Sequence, residues 1–418
     1  MKGIAALGAR KTWLWRQRGR FGAGNCGDPS RLLVDVSAIV QHDAKTGIQR
    51  VVRAVWSELS RRGRDNGFEV RPIFATKAHG YCFARVNFLD GAAAGAAGEP
   101  VSMRHGDKFV GLDLSAHLLP HYRAQLTAWR AQGASIHLVV YDLLPLERPE
   151  WFNAPAVSNF RKWYDVLAHD ADQAICISEQ VARELRHRIA LSGRRGPAVV
   201  RMHLGADIEA SIPSTGVSRE ASDLIGRLQS RRAVLMVGTI EPRKGHDVAL
   251  AAFEHLWRTR PADAPNLVIV GKPGWKTADL IKRIREQPEQ GARLHWLSAA
   301  TDEALCRLYE GCAGVFVASH AEGFGLPLVE AAMFKRPVLA RNLPVFREQG
   351  LANVSFFDDD SPEALAPRLI ELARVAQSAP TAVANLATWS ESVAGLLRVM
   401  GLPEREDHET VTQLRKAS

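Results

Sequence analysis

Short apolar runs, each closed by a turn and followed by a segment of helical period, recur from Leu32 to Phe357. Leu32-Leu33-Val34-Asp35-Val36, Ser135–Val140, Gln173–Ile177, Ala233–Gly238, Leu267–Gly271 and Gly314–Ala318 are near-continuously apolar. Such runs suit strands buried on both faces of a parallel sheet, which must be joined by helices. Ile48, Val51, Val52 and Val55 have helical spacing, as do Val248, Ala252 and Leu256. The alternation stops in a polar region, Ser211 to Ser230, and restarts at Ala233. A chain of 418 residues exceeds one ordinary core. The expectation is an α/β protein of two doubly wound, Rossmann-like domains facing each other across a cleft. The expected boundaries are 29–210 and 231–400, joined by a linker region at 211–230, with a basic head at 1–28 and a polar tail at 401–418.

Hydrophobic residues at 46% and charged residues at 24% fit a soluble globular protein. No uninterrupted apolar run reaches the roughly 18 residues that a membrane-spanning helix needs. The five cysteines lack metal-ligand spacing, and a reducing, cytoplasmic setting is the simpler expectation. Six bases against one acid precede Pro29, more than half of the net +9. This head carries Trp13, Leu14, Trp15 and Phe21 but no signal-peptide core. It suits either an anionic membrane surface at the inner face of the cytoplasmic membrane or a disordered tail. Nucleic acid is not expected, because no basic, aromatic-rich pattern continues into the folded part.

Two stretches carry candidate chemistry. In Ser319-His320-Ala321-Glu322-Gly323-Phe324-Gly325-Leu326-Pro327-Leu328-Val329-Glu330, a strand gives way to a glycine turn and a helix with Pro327 in its first turn. The helix N-terminus offers N–H groups to an anion, and Glu322 and Glu330 flank it with seven residues between them. Gly238-Thr239-Ile240-Glu241-Pro242-Arg243-Lys244-Gly245 sets two adjacent cations at another strand end, where they would stabilise a departing diphosphate. Taken singly, either stretch could be an ordinary loop with solvated charges. Thr46-Gly47 and Tyr141-Asp142 lie at strand ends of the first half, where open α/β sheets place ligands. Asp142 could equally be a turn residue.

The E-x7-E stretch and Glu241-Pro242-Arg243-Lys244-Gly245 resemble the corresponding segments of retaining glycosyltransferases of family 4, which have the GT-B fold. Gly271–Trp275, Trp296-Leu297-Ser298 with Asp302–Leu305, and Asn342–Glu348 are similar to further family segments. Thr46–Arg53 and Tyr141–Pro145 resemble a bacterial branch that builds surface polysaccharides, including O-antigen mannosyltransferases. The resemblance implies that Arg243 and Lys244 hold the donor diphosphate, that Glu330 takes the ribose hydroxyls, and that Glu322 lies by the transferred sugar. It places Gly238, Thr239, Gly271, Leu297, Ser298, Phe324, Gly325 and Leu326 on the donor, and Thr46, Gly47 and Tyr141 on the acceptor side. Asp142 joins Glu322, Arg243 and Lys244 as a catalytic candidate. Many family members have histidine where this chain has Tyr141, so that histidine's role cannot be inherited.

The implied reaction moves a sugar, with retention of configuration, from a nucleotide sugar to a lipid-linked saccharide in polysaccharide or lipopolysaccharide synthesis. GDP-mannose is the favoured donor, ahead of dTDP-rhamnose or a UDP-sugar. No cofactor or metal is expected, since the Arg–Lys pair supplies the positive charge. A glycoside hydrolase, a sugar-nucleotide epimerase and a catalytically silent GT-B-like binding subunit are the alternatives.

Overall fold

The computed structural model describes residues 31–90, 98–211, 214–228, 232–375 and 386–402. The basic head, most of the alanine- and glycine-rich stretch after Asp90, and the polar tail beyond Leu402 lie outside the described residues.

The first sheet contains β1 (Arg31–Asp35), β2 (Glu69–Phe74), β3 (Cys82–Phe83), β4 (Lys108–Gly111), β5 (Ser135–Val140), β6 (Gln173–Cys176) and β7 (Ala198–Arg201). Their spatial order is β3-β2-β1-β4-β5-β6-β7, parallel except for β3 against β2. The second sheet contains β8 (Ala233–Val237), β9 (Asn266–Val270), β10 (Leu294–Leu297), β11 (Gly314–Val317), β12 (Val338–Arg341) and β13 (Val354–Phe357). Its order is β10-β9-β8-β11-β12-β13, parallel throughout. β1, β9 and β11 are buried along their whole length, which accounts for their unalternating sequences.

In both sheets the strand order reverses once, between β1 and β4 and between β8 and β11. At such a reversal the connections leave on opposite sides, and a crevice opens beyond the carboxyl ends of the two strands. The two crevices face each other and set the position of everything functional below.

The structure departs from the sequence-based expectations at the linker and at the last helix. The polar region 211–230 is more than a linker. Arg219–Leu228 forms a helix that buries Ala221, Leu224 and Leu228 and packs on the second-domain helix Asp302–Gly311. Ser214 N, at 2.9 Å, and its hydroxyl, at 2.8 Å, also donate to Asp302.

The last helix, Trp389–Val399, follows the second domain in sequence but packs on the first, against the helix Gly47–Asn66. The Trp389 amide donates to Asp207 at 2.8 Å, Arg62 donates to the Ser390 hydroxyl at 2.9 Å, and Gln173 donates to the Val399 carbonyl at 2.9 Å. Trp389, Val393, Leu396 and Leu397 form the buried face. Their spacing reveals that a face is buried, but not which domain covers it. Trp389→Ala should therefore destabilise the first domain by about 3–5 kcal/mol. Chemical denaturation should show a lower midpoint for it, and an unchanged midpoint would place this helix outside that cooperative unit.

Candidate active site

The β8 and β11 strands are neighbours at the second sheet's reversal, so the turns that follow them meet. After β8 the chain runs through Gly238 to the short helical turn Pro242–Lys244, and Gly245 then reverses the backbone at φ 68°. After β11 it passes Ser319 and the glycine turn before the helix Leu326–Met333. The His320 amide donates to the Arg243 carbonyl at 2.7 Å, which fastens the two turns together.

Glu322 lies at the centre. Arg243 Nη1 donates to its Oε2 at 2.9 Å, Lys244 Nζ donates to its Oε1, and Ser319 Oγ donates to the same Oε1 at 2.8 Å. Arg243 Nε donates to Glu241 at 2.9 Å. The Glu322 side chain is only 8% exposed, and burial alone would push its carboxyl up. The charges of Lys244 and Arg243 outweigh burial and hold it down at about 2. Burial and neighbouring Arg243 push the Lys244 ammonium below its ordinary value, against the pull of Glu322. An arriving anion would relieve that ammonium.

The ends of β9 and β10 complete this edge. Gly238 N donates to the Val270 carbonyl and Gly271 N to the Leu297 carbonyl, which sets Gly238, Gly271 and Leu297 side by side. Thr239 is half-buried beside Gly238, and Ser298 is exposed just past β10. Phe324 is buried and meets the first domain's His203 ring edge to face at 5.6 Å. Gly325 takes φ 95° as the N-cap of the helix that Leu326 opens.

The first domain closes on this site. The Gly323 backbone abuts the carbonyl of Tyr141, where a β-carbon would overlap the oxygen. The Tyr141 side chain, expected on the acceptor side, turns inward. It is 4% exposed in the core, and its hydroxyl donates to the Leu112 carbonyl at 2.7 Å. Asp142 is half-buried near Arg243, Lys244 and Glu322; burial pushes its carboxyl up, and Arg243 partly offsets this. Its Oδ1 accepts from Leu144 N at 3.1 Å, the turn bond that was the plainer expectation for it. Thr46 caps the helix Gly47–Asn66 in a capping box with Gln49, and Gly47 lies against Leu326. Two helix N-termini thus meet across the cleft.

Glu330 is 2% exposed and separate from the Glu322 cluster. Tyr309 Oη donates to its Oε2 at 2.8 Å, and the first domain's Arg50 donates to its Oε1. Sequence reasoning missed Arg50, Tyr309 and Ser319 as site residues. Arg50 shares a helix face with Thr46 and Gly47, at positions i+4 and i+3, which was the available signal. Among the described residues no group of three or more histidines, cysteines or acids could hold a metal ion.

The profile of the family Glycosyl transferases group 1 matches residues 220–379, from the linker helix through β13 and beyond. Residues 220–379 are accordingly a glycosyl transferases group 1 domain, and the solved structures on which the chain superposes show the two facing sheets to be the GT-B fold. Over 378 residues, 88% of this chain and 44% of the relative, the chain is 41% identical to the "Serotype-specific mannosyltransferase WbdA" of Escherichia coli. The chain therefore spans less than half the length of that relative. Among solved structures it superposes on a sucrose-phosphate synthase from Thermosynechococcus elongatus with TM-score 0.56 and 16% identity, covering 93% of this chain and 100% of that one. It also superposes on WaaG, a glycosyltransferase involved in lipopolysaccharide biosynthesis, with TM-score 0.53 and 12% identity, covering 87% and 94% of the two chains.

Gly323→Ala should block closure while leaving the second domain folded. Turnover should fall by at least about tenfold if closure completes the reacting geometry, with nucleotide affinity changed much less. Normal turnover would show that the Tyr141–Gly323 contact is dispensable.

Proposed function

We propose that the chain is a retaining, nucleotide-sugar-dependent mannosyltransferase that moves mannose from GDP-mannose to a lipid-linked saccharide in O-antigen or related polysaccharide synthesis. The observation that carries this reading is the buried Glu322 carboxylate between Arg243 and Lys244, in a glycosyl transferases group 1 domain. The likeness to WbdA supports mannose as the sugar.

When the donor diphosphate arrives, its oxygens compete with Glu322 for Arg243 and Lys244. Glu322 is then free to accept from hydroxyls of the donor sugar and to face the positive charge growing at the anomeric carbon. The acceptor oxygen bonds to that carbon on the face the diphosphate leaves, and the carbon–phosphate-oxygen bond breaks. The acceptor proton passes to the departing phosphate oxygen, so no protein nucleophile is needed. The cations act in the transition state, where charge on the leaving group is greatest. They supply this charge without a metal ion, so chelator should leave turnover unchanged. Glu330 takes the ribose hydroxyls, and Gly238, Thr239, Gly271, Leu297 and Ser298 line the donor. Asp142 orients the reacting groups.

A donor screen on purified protein, read as nucleoside diphosphate release with a lipid-linked saccharide present, tests the assignment. GDP-mannose should turn over fastest and yield the α-linked product. Preference for dTDP-rhamnose or a UDP-sugar would overturn the donor, and absence of release from every donor would overturn the enzyme. Lys244→Ala should lower turnover by about 10²–10³, and near-normal transfer would refute its role on the diphosphate.

Among the described residues no helix is long and apolar enough to cross a membrane. Residues 1–28, outside the described residues, would hold the protein at an anionic membrane surface through their bases and tryptophans. Removing them should shift the protein from vesicles containing anionic lipid to the soluble fraction, with activity on a soluble acceptor retained. Unchanged partition would rule out the anchor.

A further inference from the structure

Arg50 belongs to the first domain, yet its guanidinium is held by two acids of the second. Nη1 donates to Glu330 Oε1, and Nη2 donates to Asp302 Oδ1 at 2.7 Å. The other oxygen of Asp302 accepts from Ser214, and the other oxygen of Glu330 accepts from Tyr309. Each carboxylate is thereby fixed in plane by bonds to both of its oxygens. The Glu330 side chain is 2% exposed, against 20% for Arg50. A molecule approaching Glu330 from the cleft meets the guanidinium at the same time.

We infer that Arg50 is a donor-binding residue contributed by the first domain, acting with Glu330 as an adjoining donor and acceptor for the ribose hydroxyls. This rests on the reading of Glu330 as the ribose ligand. A ribose hydroxyl is both donor and acceptor. Its hydrogen goes to an open lone pair of Glu330, and its oxygen accepts from the guanidinium. A carboxylate offers about four lone-pair positions, and a guanidinium has five N–H donors. The bonds above occupy two of those positions on Glu330 and two of those donors on Arg50. Enough capacity remains on both groups for the 2′- and 3′-hydroxyls together. The nucleoside site is then complete only when the two domains are closed.

Binding of GDP and 2′-deoxy-GDP to the full chain, by calorimetry, tests this with wild type, Arg50→Met and Arg50→Lys. Thermal melts check that each variant is folded. Wild type should prefer GDP by about tenfold or more, because a site that pairs a hydroxyl penalises the ligand lacking it. Arg50→Met should weaken GDP binding by about tenfold, the effect of losing one charged hydrogen bond, while 2′-deoxy-GDP changes less and the preference narrows. Arg50→Lys keeps the charge and should fall between. An equal loss for both ligands in the variants would overturn the proposal, because it would mean Arg50 acts on the phosphates or on folding. Tighter GDP binding in Arg50→Met would overturn it too, since Arg50 would then be excluding the nucleoside. If wild type itself shows no preference, the ribose role of Glu330 fails and takes the proposal with it. Preference retained in full by the variants would sink the Arg50 assignment alone.

Discussion

Two adjacent cations buried at one strand end cannot stand without an acid, and the meeting of Arg243 and Lys244 with Glu322 is the interaction around which the second domain's site is arranged. Leaving either cation buried and unpaired would cost several kcal/mol. The pairing is possible only because β8 and β11, far apart in sequence, are neighbours at the sheet's reversal. The His320 amide on the Arg243 carbonyl and the Ser319 hydroxyl on Glu322 then fix the turn that carries the glutamate. From that turn Gly323 reaches the first domain and Gly325 starts the helix that carries Glu330. One electrostatic requirement thus sets the geometry of a whole loop.

The two glutamates of that loop are satisfied in opposite ways. Glu322 is neutralised within its own domain, whereas Glu330 depends on Arg50 from the other. This difference suits their proposed tasks. A carboxylate that must yield its cations to a diphosphate can do so locally, without disturbing domain closure. One that must recognise a neutral ribose needs fixed orientation more than compensating charge, and a bridge from the opposite domain provides it.

Much of this was legible in the sequence, for identifiable reasons. The unalternating runs gave β1, β5, β8, β9 and β11 because full burial on both sheet faces leaves no other pattern. The adjacency of Arg243 with Lys244 and the spacing of Glu322 and Glu330 survive in the sequence because each motif is local. β2 escaped notice because Arg71 and Pro72 interrupt its apolar character, and β4 because Lys108 and Gly111 leave Phe109 and Val110 as its only apolar side chains. The partner of the last helix was hidden because an amphipathic face records burial and not its source. Arg50 was hidden more deeply, since its bond to Glu330 spans 280 positions and only the packed domains bring the two together. Tyr141 shows the opposite failure, a residue placed at the site by its neighbours in sequence whose side chain belongs to the core.

The contacts between the domains differ in how hard they are to break. Lys272 donates to the Ala44 carbonyl, Trp275 to the Trp151 carbonyl and Lys276 to the Glu150 carbonyl, while Glu348 accepts from the amides of Glu179 and Gln180. Each uses a first-domain backbone group that water can satisfy once the domains part, so each costs little to release. The Arg50 bridge is different, because withdrawing the guanidinium strands two acids, one of them almost fully buried. Water must enter to solvate them, and a ribose that arrives there replaces part of what was lost. Opening is therefore costly at the edge where the nucleoside is proposed to bind, whereas the backbone bonds elsewhere in the interface give way readily as the cleft opens.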